Sequence, residues 1–164
     1  MKAHDEGLVS SFCERIPFSS WSTRLVPPVA AGVYAIWDSE LLIYCGMSGR
    51  GFDPAKGDGR ARYGLVTRLG SHASGRLSGD QFCVYVANRL VVPSLRLEQL
   101  QLFATGELTL DALTRDYIHE HLAFQFVVTE TGAEAYALEA ACRAGEVFGV
   151  KPLLNPLGYP SLSP

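Results

Sequence analysis

Two tyrosines, an arginine–histidine pair, a late glutamate and a late asparagine are the residues of this chain whose types and spacing suit chemistry. Tyr34 and Tyr44 sit in two apolar runs, Gly32–Trp37 and Leu41–Gly46, that flank Asp38-Ser39-Glu40. A three-residue loop there pairs Trp37 with Leu41 and sets Tyr34 directly across from Tyr44. Their rings then share one face, with Cβ atoms about 4.5–5.5 Å apart. The same arrangement also occurs as a plain aromatic cross-strand pair. Arg68 and His72 are four residues apart, so on a helix they share a face, turned away from the Leu65/Leu69 stripe. Glu139 lies within Ala137-Leu138-Glu139-Ala140-Ala141-Cys142. A carboxylate among small apolar residues suits a hard oxygen ligand for Mg²⁺, and it also suits the polar side of an amphipathic helix. Asn155 precedes Pro156, an ordinary turn position.

Charge is distributed unevenly. The chain carries a net −3 with a pI of about 5.8, which argues against coating nucleic acid by charge alone. Yet Arg50, Lys56, Arg60, Arg62, Arg68 and Arg76 fall within one stretch, opposed there only by Asp53 and Asp58. The local excess of +4 is where a phosphate backbone can sit, or else a solvated helix face.

These residues must be positioned by the elements around them. At 164 residues and 17.8 kDa the chain is the size of one domain, and 48% hydrophobic with 19% charged residues excludes a disordered chain. No apolar run approaches the roughly 20 residues needed to span a bilayer, and the polar start leads into no signal core, so a cytoplasmic protein is expected. Cys13, Cys45, Cys83 and Cys142 form no C-x-x-C pair and read as reduced core residues.

Apolar spacing predicts a helix over 6–16, stopped by Pro17, then an irregular arm to 31. A hairpin follows over 32–46 and a glycine-rich loop over 47–59. A helix is predicted over 60–74 with Gly75 as its cap. Residues 81–87, apolar on both faces, read as a central strand. Helices are predicted over 94–104 and 109–120, separated by Gly106, with Thr109 starting the second. A strand over 122–129 and an alanine-rich helix from 131 to about 148, closed by Gly149, lead to an extended tail. The fold class is therefore α/β in the α+β sense: a small, mainly antiparallel sheet flanked by helices.

The order of these residues resembles the signature of the GIY-YIG nuclease family. Gly32-Val33-Tyr34 is followed ten residues on by Tyr44-Cys45-Gly46, then Arg68-x-x-x-His72, Ala-Leu-Glu139 and Lys-Pro-Leu-Leu-Asn155. The resemblance covers residues 32–156. It implies an N-terminal arm at 1–31, a nuclease domain at 32–156, a helical insertion at 88–121 and a tail at 157–164. Val33 and Cys45 replace the two isoleucines, both staying apolar. Met47 stands where many members carry lysine, and the gap from Gly46 to Arg68 is longer than in compact members.

The resemblance implies metal-dependent hydrolysis of phosphodiester bonds in DNA, double-stranded in the first instance. One divalent ion, Mg²⁺ or Mn²⁺, would be held by Glu139, with water and phosphate oxygens completing its shell. Arg68 would clamp the phosphate. The tyrosine pair would supply the general base; Tyr34 is favoured, with Tyr44 positioning water or phosphate and His72 orienting or deprotonating the hydroxyl. Asn155 would hold the site through hydrogen bonds, and Arg50, Lys56, Arg60, Arg62 and Arg76 would line the nucleic-acid path. The rival reading is a nucleic-acid-binding or regulatory module on the same fold without turnover. His119-Glu120-His121 suits a metal only if it lies on a strand, and Gly46-Met-Ser-Gly-Arg-Gly51 lacks the ending of a nucleotide-binding P-loop.

Overall fold

A four-stranded antiparallel sheet, covered by helices on both faces, is the frame of the molecule. The computed structural model describes residues 11–28, 30–53, 55 and 64–155. The strands are β1 (Ile16–Pro17), β2 (Ala31–Asp38), β3 (Leu41–Ser48) and β4 (Leu122–Thr129), in the order β1-β4-β2-β3. The helices are α1 (Leu65–Ala73), α2 (Gln81–Val86), α3 (Leu97–Thr105), α4 (Leu110–His121) and α5 (Gly132–Ala144). Among the described residues no helix is long and apolar enough to cross a membrane.

β2 lies between β4 and β3 and is buried from Ala31 through Trp37, which is why it reads as a continuous apolar run. On one face, Val33, Ala35, Trp37, Leu42 and Cys45 pack with Ala135 and Cys142 of α5. On the other, Tyr34, Ile36 and Ile43 meet Leu65 and Leu69 of α1, Phe82 and Val86 of α2, and Ile118 of α4. Each fully buried leucine here contributes roughly 1.5–3 kcal/mol. Gly32 lets β2 pass under α1, since a Cβ there would collide with the Val127 carbonyl and the Leu65 side chain.

The hairpin differs from expectation in register. Its turn has two residues, Ser39 and Glu40, with Ser39 at φ 52°, so Asp38 pairs with Leu41 and Trp37 with Leu42. Continued unchanged, that register would place Tyr44 beside Ala35, on the α5 face. A β-bulge intervenes: Ile36 pairs with Tyr44, leaving Ile43 as the extra residue. Tyr34 therefore faces Gly46 rather than Tyr44, and the two tyrosines are diagonal neighbours on one face. The Tyr34 ring lies across Gly46, where a Cβ would strike the phenol.

Three further expectations fail. Residues 81–87 are not a strand but α2, continued by a π-turn at Ala87–Val91. A short apolar run fits either period; here Phe82, Cys83, Val86 and Ala87 are buried at helical spacing, and Asp80 caps the helix by accepting from the Phe82 and Cys83 amides. Of the helix expected over 6–16, residues 6–10 lie outside the described ones, 11–15 are an irregular segment and Ile16 begins β1. There the Cys13 amide donates to Phe126 and Ile16 pairs with Phe124, covering the edge of β4. The alanine-rich helix ends at Ala144, closed by Gly145 at φ 85°, rather than running to 148.

Other boundaries shift less. α1 starts at Leu65, after Gly64 in an extended conformation; 60–63 lie outside the described residues. α3 and α4 are separated by left-handed Gly106, and Thr109 caps α4 by accepting from the Ala112 amide. Within 88–121, α4 buries Thr114 and Ile118 in the core, whereas α3 buries no residue.

The exposed edge of β3 is covered by the C-terminal tail at the bulge itself. The Leu42 and Ile43 carbonyls accept from the Leu153 and Leu154 amides. Asn155 then brackets Cys45: its Oδ1 accepts from the Cys45 amide at 2.7 Å and its Nδ2 donates to the Cys45 carbonyl at 3.0 Å. Asn155→Ala removes both bonds and should destabilise the fold by roughly 1–3 kcal/mol, because partly buried backbone groups lose their partner. Urea denaturation measures the loss, and hydrogen exchange should speed up at Cys45 before the rest of β3.

Candidate active site

The face of the hairpin that carries Tyr34 and Tyr44 opens into a cleft of about 240 Å³, which Arg68, His72 and Glu139 also line. Strands β2 and β3 supply the tyrosines, α1 supplies Arg68 and His72 one turn apart, and α5 supplies Glu139. Gly46, Met47, Asp80, Gln81 and Phe82 complete the wall. The tyrosine rings are stacked with centroids 6.3 Å apart, and the Phe82 ring packs 4.7 Å from His72 and 5.1 Å from Tyr44.

A buried hydrogen-bond chain runs through this wall. The Tyr34 hydroxyl is 2.8 Å from His72 Nε2, and His72 Nδ1 is 2.7 Å from Asp80 Oδ2. All three residues are 2% exposed. Burial pushes the Tyr34 phenol well above its usual range, charge repulsion with the Tyr44 hydroxyl adds to the rise, and Arg68 opposes it. Burial and the charge of Glu139 push Tyr44 up to about 12, again against Arg68. Burial lowers His72 below its ordinary 6.5, opposed by Asp80. For Asp80, burial raises the carboxyl, but the hydrogen bond and charge of His72 and the bond from Ser71 outweigh it and bring it down to about 2.

Arg68 is exposed and forms no hydrogen bond or ion pair among the described residues. It is thus a free guanidinium at the mouth of a cleft, suited to a phosphate. Glu139 is 16% exposed, 3.7 Å from Arg143; burial raises its carboxyl, and Arg143 and Arg50 draw it back. Among the described residues no three His, Cys, Asp or Glu side chains cluster as an all-protein metal cage. A single carboxylate at a water-accessible cleft fits an ion that keeps water and phosphate oxygens as its other ligands, as Mg²⁺ does.

The remaining candidates fall elsewhere. Asn155 does not line the cleft; it holds the backbone of Cys45, between Tyr44 and Gly46. Arg50 lies over the Tyr136 ring at 4.8 Å, one turn before Glu139 on α5, and Arg76 is exposed after α1. Lys56, Arg60 and Arg62 lie outside the described residues. His119, Glu120 and His121 close α4 rather than lying on a strand, with His119 donating to the Ala73 carbonyl. All four cysteines are free, and Cys45, Cys83 and Cys142 are buried.

Sequence reasoning missed Asp80. Reading 81–87 as a strand hid the signal that would have found it, an aspartate at an N-cap position. Comparison of the chain with protein-family models, with curated proteins and with solved structures finds no match.

The buried histidine makes stability depend on pH with a definite sign. His72 titrates below 6.5 in the folded state, so on acidification the unfolded chain binds its proton first. Its contribution is complete above about pH 6.5 and is lost as pH falls from there toward the folded value. Asp80 adds a second loss below about pH 3.8. Urea midpoints measured from pH 8 to pH 3 should fall on acidification, and His72→Gln should flatten the slope between pH 7 and pH 5 without removing the loss below pH 4.

Proposed function

We propose that this cleft hydrolyses phosphodiester bonds as a metal-dependent endonuclease of the GIY-YIG type, acting in the cytoplasm on double-stranded DNA. The observation that carries the reading is the Tyr34 hydroxyl held 2.8 Å from His72 Nε2 beside an unpaired arginine and a half-buried glutamate. The motif order described above supports the same reading.

The chemistry follows from the residues. A buried phenol gives up its proton only to a base within hydrogen-bond reach, and His72 Nε2 is that base. As Tyr34 passes its proton to His72, the phenolate oxygen takes a proton from a water in the cleft. That water forms the new bond to phosphorus while the bond to the leaving deoxyribose oxygen breaks, and the leaving oxygen takes a proton from solvent. Arg68 neutralises the charge that grows on the non-bridging phosphate oxygens. Tyr44, less buried than Tyr34, orders the water or the phosphate from the adjacent position. Glu139 is the residue that would hold Mg²⁺ or Mn²⁺, whose charge would stabilise the transition state and the leaving group. Arg50 and Arg76, with Lys56, Arg60 and Arg62, would follow the backbone on either side.

Glu139→Gln keeps the size and the helix and removes the charge. With supercoiled, linear and branched DNA, and RNA for comparison, wild type should cleave DNA on titration with Mg²⁺ or Mn²⁺. The variant should be slower by orders of magnitude while binding DNA as well or better. Equal cleavage by both would reject the role of Glu139. Binding without cleavage by either, across all substrates, would identify a non-catalytic nucleic-acid-binding module.

A further inference from the structure

We infer that Asp80 is a positioning residue of this site, fixing the tautomer of His72 so that Tyr34 can only donate its proton to it. The inference rests on the nuclease reading of the cleft for its consequence, but on hydrogen-bond accounting for its content.

The Asp80 carboxylate has four hydrogen-bond partners. Oδ1 accepts from the Phe82 amide at 3.0 Å and the Cys83 amide at 3.3 Å. Oδ2 accepts from Ser71 Oγ at 2.6 Å and faces His72 Nδ1 at 2.7 Å. An ionised carboxylate is an acceptor only, so Nδ1 must carry a hydrogen. In the neutral imidazole Nε2 is then bare, and the Tyr34 hydroxyl, 2.8 Å away, has one available role, that of donor. The direction of the chain is therefore set from its far end. Once His72 has taken the proton, the imidazolium is buried, and Asp80 is the opposite charge that faces it.

Asp80 is itself fixed by backbone. It caps α2, and α2 carries Phe82, which packs against both His72 and Tyr44. The same residue thus ends a loop, starts a helix and orients a base. The orientation of a base through its second nitrogen is the role an aspartate takes in Ser-His-Asp sites; here a phenol occupies the place of the serine.

Asp80→Asn tests this with little change of shape. The amide oxygen keeps both caps to α2, for which asparagine is well suited. Its NH₂ group then offers one hydrogen to Ser71 Oγ and one to His72 Nδ1, so Nδ1 must accept and Nε2 must carry the hydrogen. Tyr34 loses its acceptor. The chain has four histidines, and His72→Gln assigns the relevant signals. Nitrogen-15 NMR of the full-length protein near neutral pH should show a hydrogen on Nδ1 in wild type and on Nε2 in Asp80→Asn. Cleavage of DNA by Asp80→Asn should fall about 10²-fold or more, with affinity for uncleaved DNA unchanged. Asp116→Asn, the same change at an exposed position of α4 that does not line the cleft, should keep both the wild-type tautomer and the wild-type rate. An Nε2 hydrogen in wild type, the same tautomer in both proteins, cleavage by Asp80→Asn at the wild-type rate, or an equal loss in Asp116→Asn would each overturn the inference. Reversal of the tautomer in a protein whose wild type cleaves nothing would overturn the nuclease reading instead, leaving Asp80 as the residue that sets His72.

Discussion

One inserted residue, Ile43, decides whether Tyr34 and Tyr44 share a face of the sheet. Side chains of a strand alternate faces with a period of two, so a shift of one residue moves a whole strand's pattern to the other side of the sheet. The two-residue turn at Ser39-Glu40 sets a register in which Tyr44 would belong to the α5 face, away from Tyr34. The bulge adds the missing residue on β3 and restores the phase, so that Ile43 and Tyr44 both point to the side of α1 and α2. Leu42 and Cys45, on either side of the bulge, remain with α5.

A bulge on an edge strand weakens its ladder, and this one is braced. Successive carbonyls of a regular strand point to opposite edges, whereas those of Leu42 and Ile43 both accept from the tail. Asn155 then supplies a donor and an acceptor to Cys45 as a neighbouring strand would. Gly46 answers the other consequence of the shift: it faces Tyr34 across the ladder, and its missing side chain is the space in which the phenol lies. Tyrosine, bulge, glycine and asparagine therefore form one mechanical unit, even though Asn155 is remote from the cleft in sequence and does not line it.

The helices answer a different constraint, the cost of burying polar groups. Tyr34, His72 and Asp80 are all sealed in the wall between the sheet, α1 and α2, where an unpaired hydroxyl or carboxylate would be costly. They are tolerated because each satisfies the next, ending at a carboxylate held by two amides and a serine. Arg68 and Glu139 stand at the opposite limit, at the mouth of the cleft. Arg68 is exposed and unpaired among the described residues, and Glu139 shares only a long contact with Arg143. The cleft thus joins a buried hydrogen-bond chain to two charged groups at its mouth.

Local sequence was enough to place Tyr34 and Tyr44 on a hairpin, Arg68 and His72 one turn apart on a helix, Glu139 on a later helix, and β4 over 122–129, because each rests on spacing within a few residues. Their convergence on one cleft also follows the motif order. Three features were decided only by tertiary structure. The register of the hairpin depended on whether β3 takes a bulge, which is settled by the tail bonding at Leu42, Ile43 and Cys45 from more than a hundred residues away. The state of 81–87 was ambiguous because a short apolar run buried on most sides fits a strand or a helix equally, and packing against α4 and the sheet selects the helix. Asp80 became visible as part of the site only with that helix in place, since it is the start of α2 that brings its carboxylate to His72. Spacing along the chain fixes which residues share a face; which faces meet is set by contacts that no short stretch of sequence contains.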